Sequence, residues 1–182
     1  MHRTAAVLAA AALGASFVAT APAPAAQGAA CRTDWGSTVE RDRSSTPAEV
    51  VGVRAGRHAC FDRLVVDLGR GPAAGWWVGY VPEVRQAASG DVLPTRGGAS
   101  LQVTVHAAAY DEDYRPTYRP RDPREVVPVA GYRTFRQVVW ASSWEGDTGL
   151  GIGTRARLPF RAFAVAGPGG TTRVVVDVAH TW

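Results

Sequence analysis

Phe61-Asp62-Arg63-Leu64-Val65-Val66-Asp67-Leu68 is the clearest strand pattern in the chain, and Arg173-Val174-Val175-Val176-Asp177-Val178 repeats its order near the C-terminus. Each copy reads Arg, three aliphatics, Asp, aliphatic. Period-two alternation puts Leu64, Val66 and Leu68 on one face and Arg63, Val65 and Asp67 on the other. An antiparallel pairing in register would set Arg63 opposite Asp177 and Arg173 opposite Asp67. Such cross-strand charge pairs contribute about 0.2–1 kcal/mol each. Two similar half-domains facing one another would also produce the repeat.

Working outward, the same texture extends from Val50 to the C-terminus. Short apolar or alternating runs occupy Val50–Arg54, Trp76–Val81, Leu101–His106, Phe135–Ala141, Gly149–Gly153 and Phe160–Val165. Gly, Pro, Asp and Ser separate them, as strand-breaking residues do. Glu83–Ala88 is ambiguous and long enough for one helical turn. The glycines of Gly149-Leu150-Gly151-Ile152-Gly153 lack the spacing and following helix of a dinucleotide fingerprint. They suit a strand that another segment approaches closely, or a bulge. The expected fold class is all-β: a β-sandwich or flattened barrel of about eight mainly antiparallel strands.

Residues 1–26 read as a secretory leader. His2 and Arg3 precede the apolar run Ala5–Val18, and Ala23-Pro24-Ala25 supplies small residues for cleavage. The run is shorter than the roughly 20 residues a spanning helix needs. Residues 27–49 read as an irregular segment, with Trp35 covering one edge of the core, and 50–182 as the β domain. Two cysteines, Cys31 and Cys60, in an exported chain read most simply as one disulfide, worth about 3 kcal/mol by the chain-entropy argument. A lipid anchor on Cys31 is the other use, although Gly28-Ala29-Ala30 lacks the branched aliphatic of a lipobox.

All 20 cationic side chains are Arg and the formal net charge is +4. The arginines are scattered among acids, whereas a nucleic-acid binder would cluster them. Nucleic acid is therefore not an expected partner. Ala109–Pro128 breaks the β pattern with Asp111-Glu112-Asp113, four prolines and four arginines, and reads as a partly extended, solvated surface loop or a recognition loop. Tyr110, Tyr114 and Tyr118 fall at helical spacing, but the prolines exclude a helix. The acidic triplet lacks the Gly and distal Glu of a calcium loop.

His58, His106 and His180 do not stand at metal-ligand spacing. No nucleophile elbow or phosphate loop is present. No cofactor and no catalytic residue is assigned. A hydrolase would have Glu145 and Asp147 as its nearest pair of carboxylates. Six tryptophans are many for this length. Exposed Trp stacks on sugar faces, whereas buried Trp fills cores. In a regular strand one ring of Trp76-Trp77 must face outward. The candidate ligand-binding residues are Trp76, Trp77, Tyr80, Trp144 and Glu145.

Gly56-Arg57-His58 followed by Phe61–Asp67 resembles the opening of the AMIN-like domain of secreted actinobacterial proteins. Trp77–Val81, the stretch Ser89–Gly98 with Ala99–Val105, Trp144-Glu145-Gly146, Gly151-Ile152-Gly153, Pro159-Phe160 and Arg173–His180 resemble its later parts in order. The resemblance covers Val50 to His180. It implies a β-sandwich related to the AMIN domain, a non-catalytic targeting module of cell-envelope proteins often linked to peptidoglycan. The expected function is a secreted envelope-binding module for a cell-wall glycan. The alternatives are a domain that docks another envelope protein through the Arg-Pro loop, and a secreted hydrolase.

Overall fold

The computed structural model describes Cys31 and residues 33–182; the expected leader lies outside the described residues. The strands are β1 (Glu40–Asp42), β2 (Val50–Arg57), β3 (Phe61–Arg70), β4 (Trp76–Val81), β5 (Val84–Arg85), β6 (Val92–Leu93), β7 (Ala99–Val105), β8 (Phe135–Trp144), β9 (Asp147–Thr154), β10 (Phe160–Ala166) and β11 (Thr171–Ala179). They form a five-stranded sheet, β1-β4-β7-β9-β8, a four-stranded sheet, β10-β11-β3-β2, and a small β5-β6 hairpin. Every pairing among them is antiparallel. The two large sheets pack as a β-sandwich. Their inner faces supply one core, with Leu64, Val66 and Leu68 meeting Leu101, Val103, Val105, Leu150 and Ile152.

The two repeated strands, β3 and β11, are neighbours in one sheet, and their register sets Arg63 opposite Asp177 and Asp67 opposite Arg173. Arg63 grips Asp177 with two bonds of 2.6 and 2.8 Å, and Arg161 from β10 adds a third at 2.9 Å. Asp67 is held by Arg173 at 3.0 Å and by Arg54 from β2 at 2.7 Å. Each carboxylate thus ties three strands together. Val65 and Val175 are buried on this polar face, flanked in register by Arg54 and Phe163. The repeat is a side-by-side pair, not two opposed half-domains.

The sequence pattern underestimates the strand number, because β1, β5 and β6 are too short and too polar to carry a period. The ambiguous Glu83–Ala88 stretch contains β5 and then a turn. β2 continues past the run Val50–Arg54, through Gly56 to Arg57. On β9, Gly151 receives the β5 side chain Val84, which packs with Val139 and Ala141. A Cβ on Gly151 would stand 2.7 Å from Val84, and one on Gly153 would overlap the Arg96 carbonyl oxygen. The glycines serve close approach, one of the two roles their spacing suggested.

The segment following Cys31 crosses from one sheet to the other. Phe160 N–H donates to the Gly36 carbonyl at 2.8 Å, and Ala162 N–H donates to the Glu40 carboxylate at 2.8 Å. β1 then extends the five-stranded sheet at β4. The segment expected to be irregular therefore contains a strand, formed because the β4 edge offers unpaired backbone groups. Trp35 lies against the charged face, 5.7 Å from the Phe61 ring and 4.3 Å below the Arg161 guanidinium, rather than over the apolar core.

Cys31 and Cys60 form a disulfide with Cα atoms 5.1 Å apart and a sequence separation of 29. Replacing both cysteines with Ser is expected to lower stability by about 3 kcal/mol. Urea unfolding of the two proteins checks this, and equal midpoints would refute it.

The opposite side is closed by the proline-rich segment, which is not a solvated surface loop throughout. Val126 N–H donates to Val138 of β8 at 2.9 Å, and Trp140 N–H donates to Pro123 at 2.7 Å. Thr117 donates its hydroxyl to the Val50 carbonyl at 2.8 Å. Ala109, Pro120, Val127 and Val129 are buried. Proline lacks an N–H, so this segment covers a sheet edge without presenting a new one.

Candidate functional site

β8 and β9 are joined by Glu145 and Gly146, with φ of 49° and 85°. Two positive φ values at a two-residue connection are the signature of a type I′ hairpin turn, which matches strand twist. Gly adopts this conformation freely; Glu does so at a cost. The turn lifts Trp144 to the end of the sandwich, where it is 52% exposed.

Beside it stands the start of the proline-rich segment. Tyr110 and Pro116 form an isolated bridge. The Asp111 carboxylate accepts the N–H groups of Asp113 and Arg115 at 3.0 and 2.9 Å. Tyr114 takes a φ of 60°. This tight loop stacks the Tyr110 and Tyr114 rings at 5.6 Å and 21°. The Tyr110 hydroxyl accepts the Gly146 N–H at 3.1 Å, and Ser143 accepts the Ala109 N–H at 2.8 Å. Loop and hairpin are therefore fastened to each other.

Together Tyr110, Tyr114, Ser143, Trp144 and Glu145 line a depression of about 440 Å³. A second one of about 240 Å³ adjoins it, sharing Tyr110, Tyr114 and Ser143 and adding Tyr118, Arg119 and Trp140. Tyr114 is 81% exposed, so two large aromatic surfaces face solvent in one place. Exposed apolar surface concentrated in this way marks a binding site more often than chance. A larger depression of about 590 Å³ lies near Tyr132, but its ring stacks on buried Phe135, and its Arg96 and Glu125 pair with each other.

Of the residues singled out from sequence, the structure brings Trp144 and Glu145 together and sets the other three elsewhere. Trp76 turns inward and packs against the core. Trp77 faces outward and lies across Gly79, with Val39 beside it. Tyr80 packs on Phe160 at 5.7 Å, donates its hydroxyl to the Leu158 carbonyl at 3.0 Å and accepts the Leu158 N–H at 2.9 Å. Burial pushes its phenol up, more than the hydrogen bonds and Arg157 pull it down. It lines a different depression with Arg157.

Tyr110 and Tyr114 line the candidate site although their place in the sequence did not assign them to it. Their i, i+4 spacing was visible, but its meaning depended on a helix that the prolines exclude. A left-handed Tyr114 achieves the same juxtaposition by another route.

The three histidines among the described residues are each engaged. His58 stacks on Phe61 at 4.4 Å. His106 Nδ1 is 2.9 Å from Asp147, which takes that carboxylate away from Glu145. His180 Nε2 is 3.1 Å from Asp62. Asp62 also accepts the N–H groups of Thr134 and Phe135 at 2.6 and 3.0 Å. Both members of this last pair are buried, and the depressions described above are lined by neither. It reads as a structural clamp where β3, β11 and the start of β8 meet.

The model of the AMIN-like domain family matches residues 48–180. No curated protein and no solved structure matches the chain. Among the described residues no helix is long and apolar enough to cross a membrane.

Proposed function

The chain belongs to the AMIN-like domain family, a kind of cell-envelope targeting module, and on that premise we propose a secreted, non-enzymatic protein that binds a cell-wall glycan through Trp144, Tyr110 and Tyr114. The observation that carries this reading is the exposed Trp144 beside the stacked tyrosine pair, on backbone that adopts costly positive φ at Glu145 and Tyr114. Strained backbone persists where the surroundings over-determine it, and it clusters at ligand sites. A sugar ring presents C–H bonds on its flat face. Rigid aromatic rings offer a matching apolar surface at little cost in side-chain entropy. Secretion is supported by the leader-like residues 1–26 and by the disulfide, a bond that persists in oxidising compartments.

The test is sedimentation with purified peptidoglycan. The protein is expected to co-sediment, and Trp144→Ala to weaken binding about tenfold or more, since one stacked ring contributes on the order of 1 kcal/mol beyond its buried area. The melting temperature should not move, because the ring is half exposed. Equal binding by the variant would remove this site from the proposal.

A further inference from the structure

We propose that the pocket of Tyr110, Tyr114 and Trp144 selects a glycan carrying free amino sugars, whose protonated amine is received by Glu145 against the ring faces. This rests on the glycan reading above and adds the charge of the ligand. Aromatic faces carry negative potential, and a cation over them is attracted, more strongly when water is excluded. Three aromatic rings line this cavity, and its one charged lining residue is Glu145.

Glu145 is exposed, and among the described residues no ion pair uses it. That contrasts with Asp67, Glu83, Asp113, Glu125 and Asp177, each of which meets an Arg. Its backbone position adds to the argument. The first residue of a type I′ turn is best filled by Asn, Asp or Gly, so Glu there gives up turn stability. What it gains is a longer carboxylate at the mouth of the aromatic pocket.

The surroundings agree in sign. Asp111, Glu112 and Asp113 lie between the two tyrosines in the loop. Of the cations in this loop, Arg115 pairs with Asp113 at 3.0 Å, and Arg119 lines the adjoining depression and not this one. The whole chain carries a net charge of +4, so it repels a cationic polymer in general. Attraction at this end must come from the local field.

The experiment is titration calorimetry with two matched oligomers, hexaglucosamine and hexa-N-acetylglucosamine, at a pH that keeps the free amines protonated. The expected result is that the cationic oligomer binds about tenfold tighter, and that Glu145→Gln brings the two affinities together. Asp91→Asn removes the same charge from an exposed site elsewhere and should leave the ratio intact. Equal or tighter binding of the acetylated oligomer would overturn the amine preference while leaving the glycan reading in place. An unchanged ratio in Glu145→Gln, or an equal loss in Asp91→Asn, would overturn the assignment to Glu145. Binding to peptidoglycan with no binding to hexaglucosamine would also end this proposal, whereas failure to sediment with peptidoglycan would end the parent reading.

Discussion

Asp177→Asn is expected to lower the unfolding free energy by about 3 kcal/mol, the low end for breaking a buried ion pair, because the carboxylate is buried while both arginines keep part of their contact with water. The carboxylate is fully buried and takes three charge-assisted bonds from Arg63 and Arg161. Asn keeps the volume but turns one acceptor into a donor, so an NH2 group faces guanidinium N–H groups. Two arginines on the outer face of the sheet lose their common anchor. For a domain of this size the melting temperature should fall by on the order of 10 °C. Asp67→Asn is the matched control. Asp67 also holds two arginines, but it is 26% exposed and water can replace part of what is lost. Its cost should be about 1–2 kcal/mol. Similar losses in the two variants would show that burial is not what makes the Asp177 cluster strong.

Gly153→Ala is expected to cost about 4 kcal/mol or to prevent folding, beyond the usual 1–3 kcal/mol of overpacking. The added methyl would meet the Arg96 carbonyl oxygen, which is backbone and cannot rotate away. The Gln137 side-chain oxygen accepts the Arg96 N–H at 2.8 Å, which ties down the residue that carries this carbonyl. Gly149→Ala would meet the Ala141 Cβ at 3.3 Å and should cost about 1 kcal/mol, since the neighbour can give by a few tenths of an ångström. Gly146→Ala meets nothing within 4 Å and tests only the positive φ, again at about 1 kcal/mol. Chemical denaturation of the three variants gives the order. A Gly153→Ala protein as stable as Gly149→Ala would mean that the segment over β9 is loosely held.

The β-sandwich was legible in the chain because strand structure is local. Alternation at Phe61–Leu68 decides which side chains are buried, and the order Arg-aliphatic-Asp in two copies encodes its own antiparallel register through charge complementarity. The disulfide was legible because two cysteines that follow a leader-like segment leave few partners for each other. The glycines of β9 announced a close approach without naming what approaches.

The aromatic pocket was only half legible. Trp144 and Glu145 stood out beside a polar turn, but Tyr110 and Tyr114 join them through a loop whose backbone has no period and whose decisive residue is left-handed. The Asp62–His180 clamp joins residues 118 positions apart, and nothing in either neighbourhood signals the other. The sequence by itself carried the longer strands, the charge order that suits β3 pairing with β11 and the two cysteines of the bridge, because period, charge order and count are properties of the chain. Which rings share a pocket, which carboxylates meet an Arg and what seals the sheet edges were decided by tertiary structure, because distant segments meet only when the two sheets close.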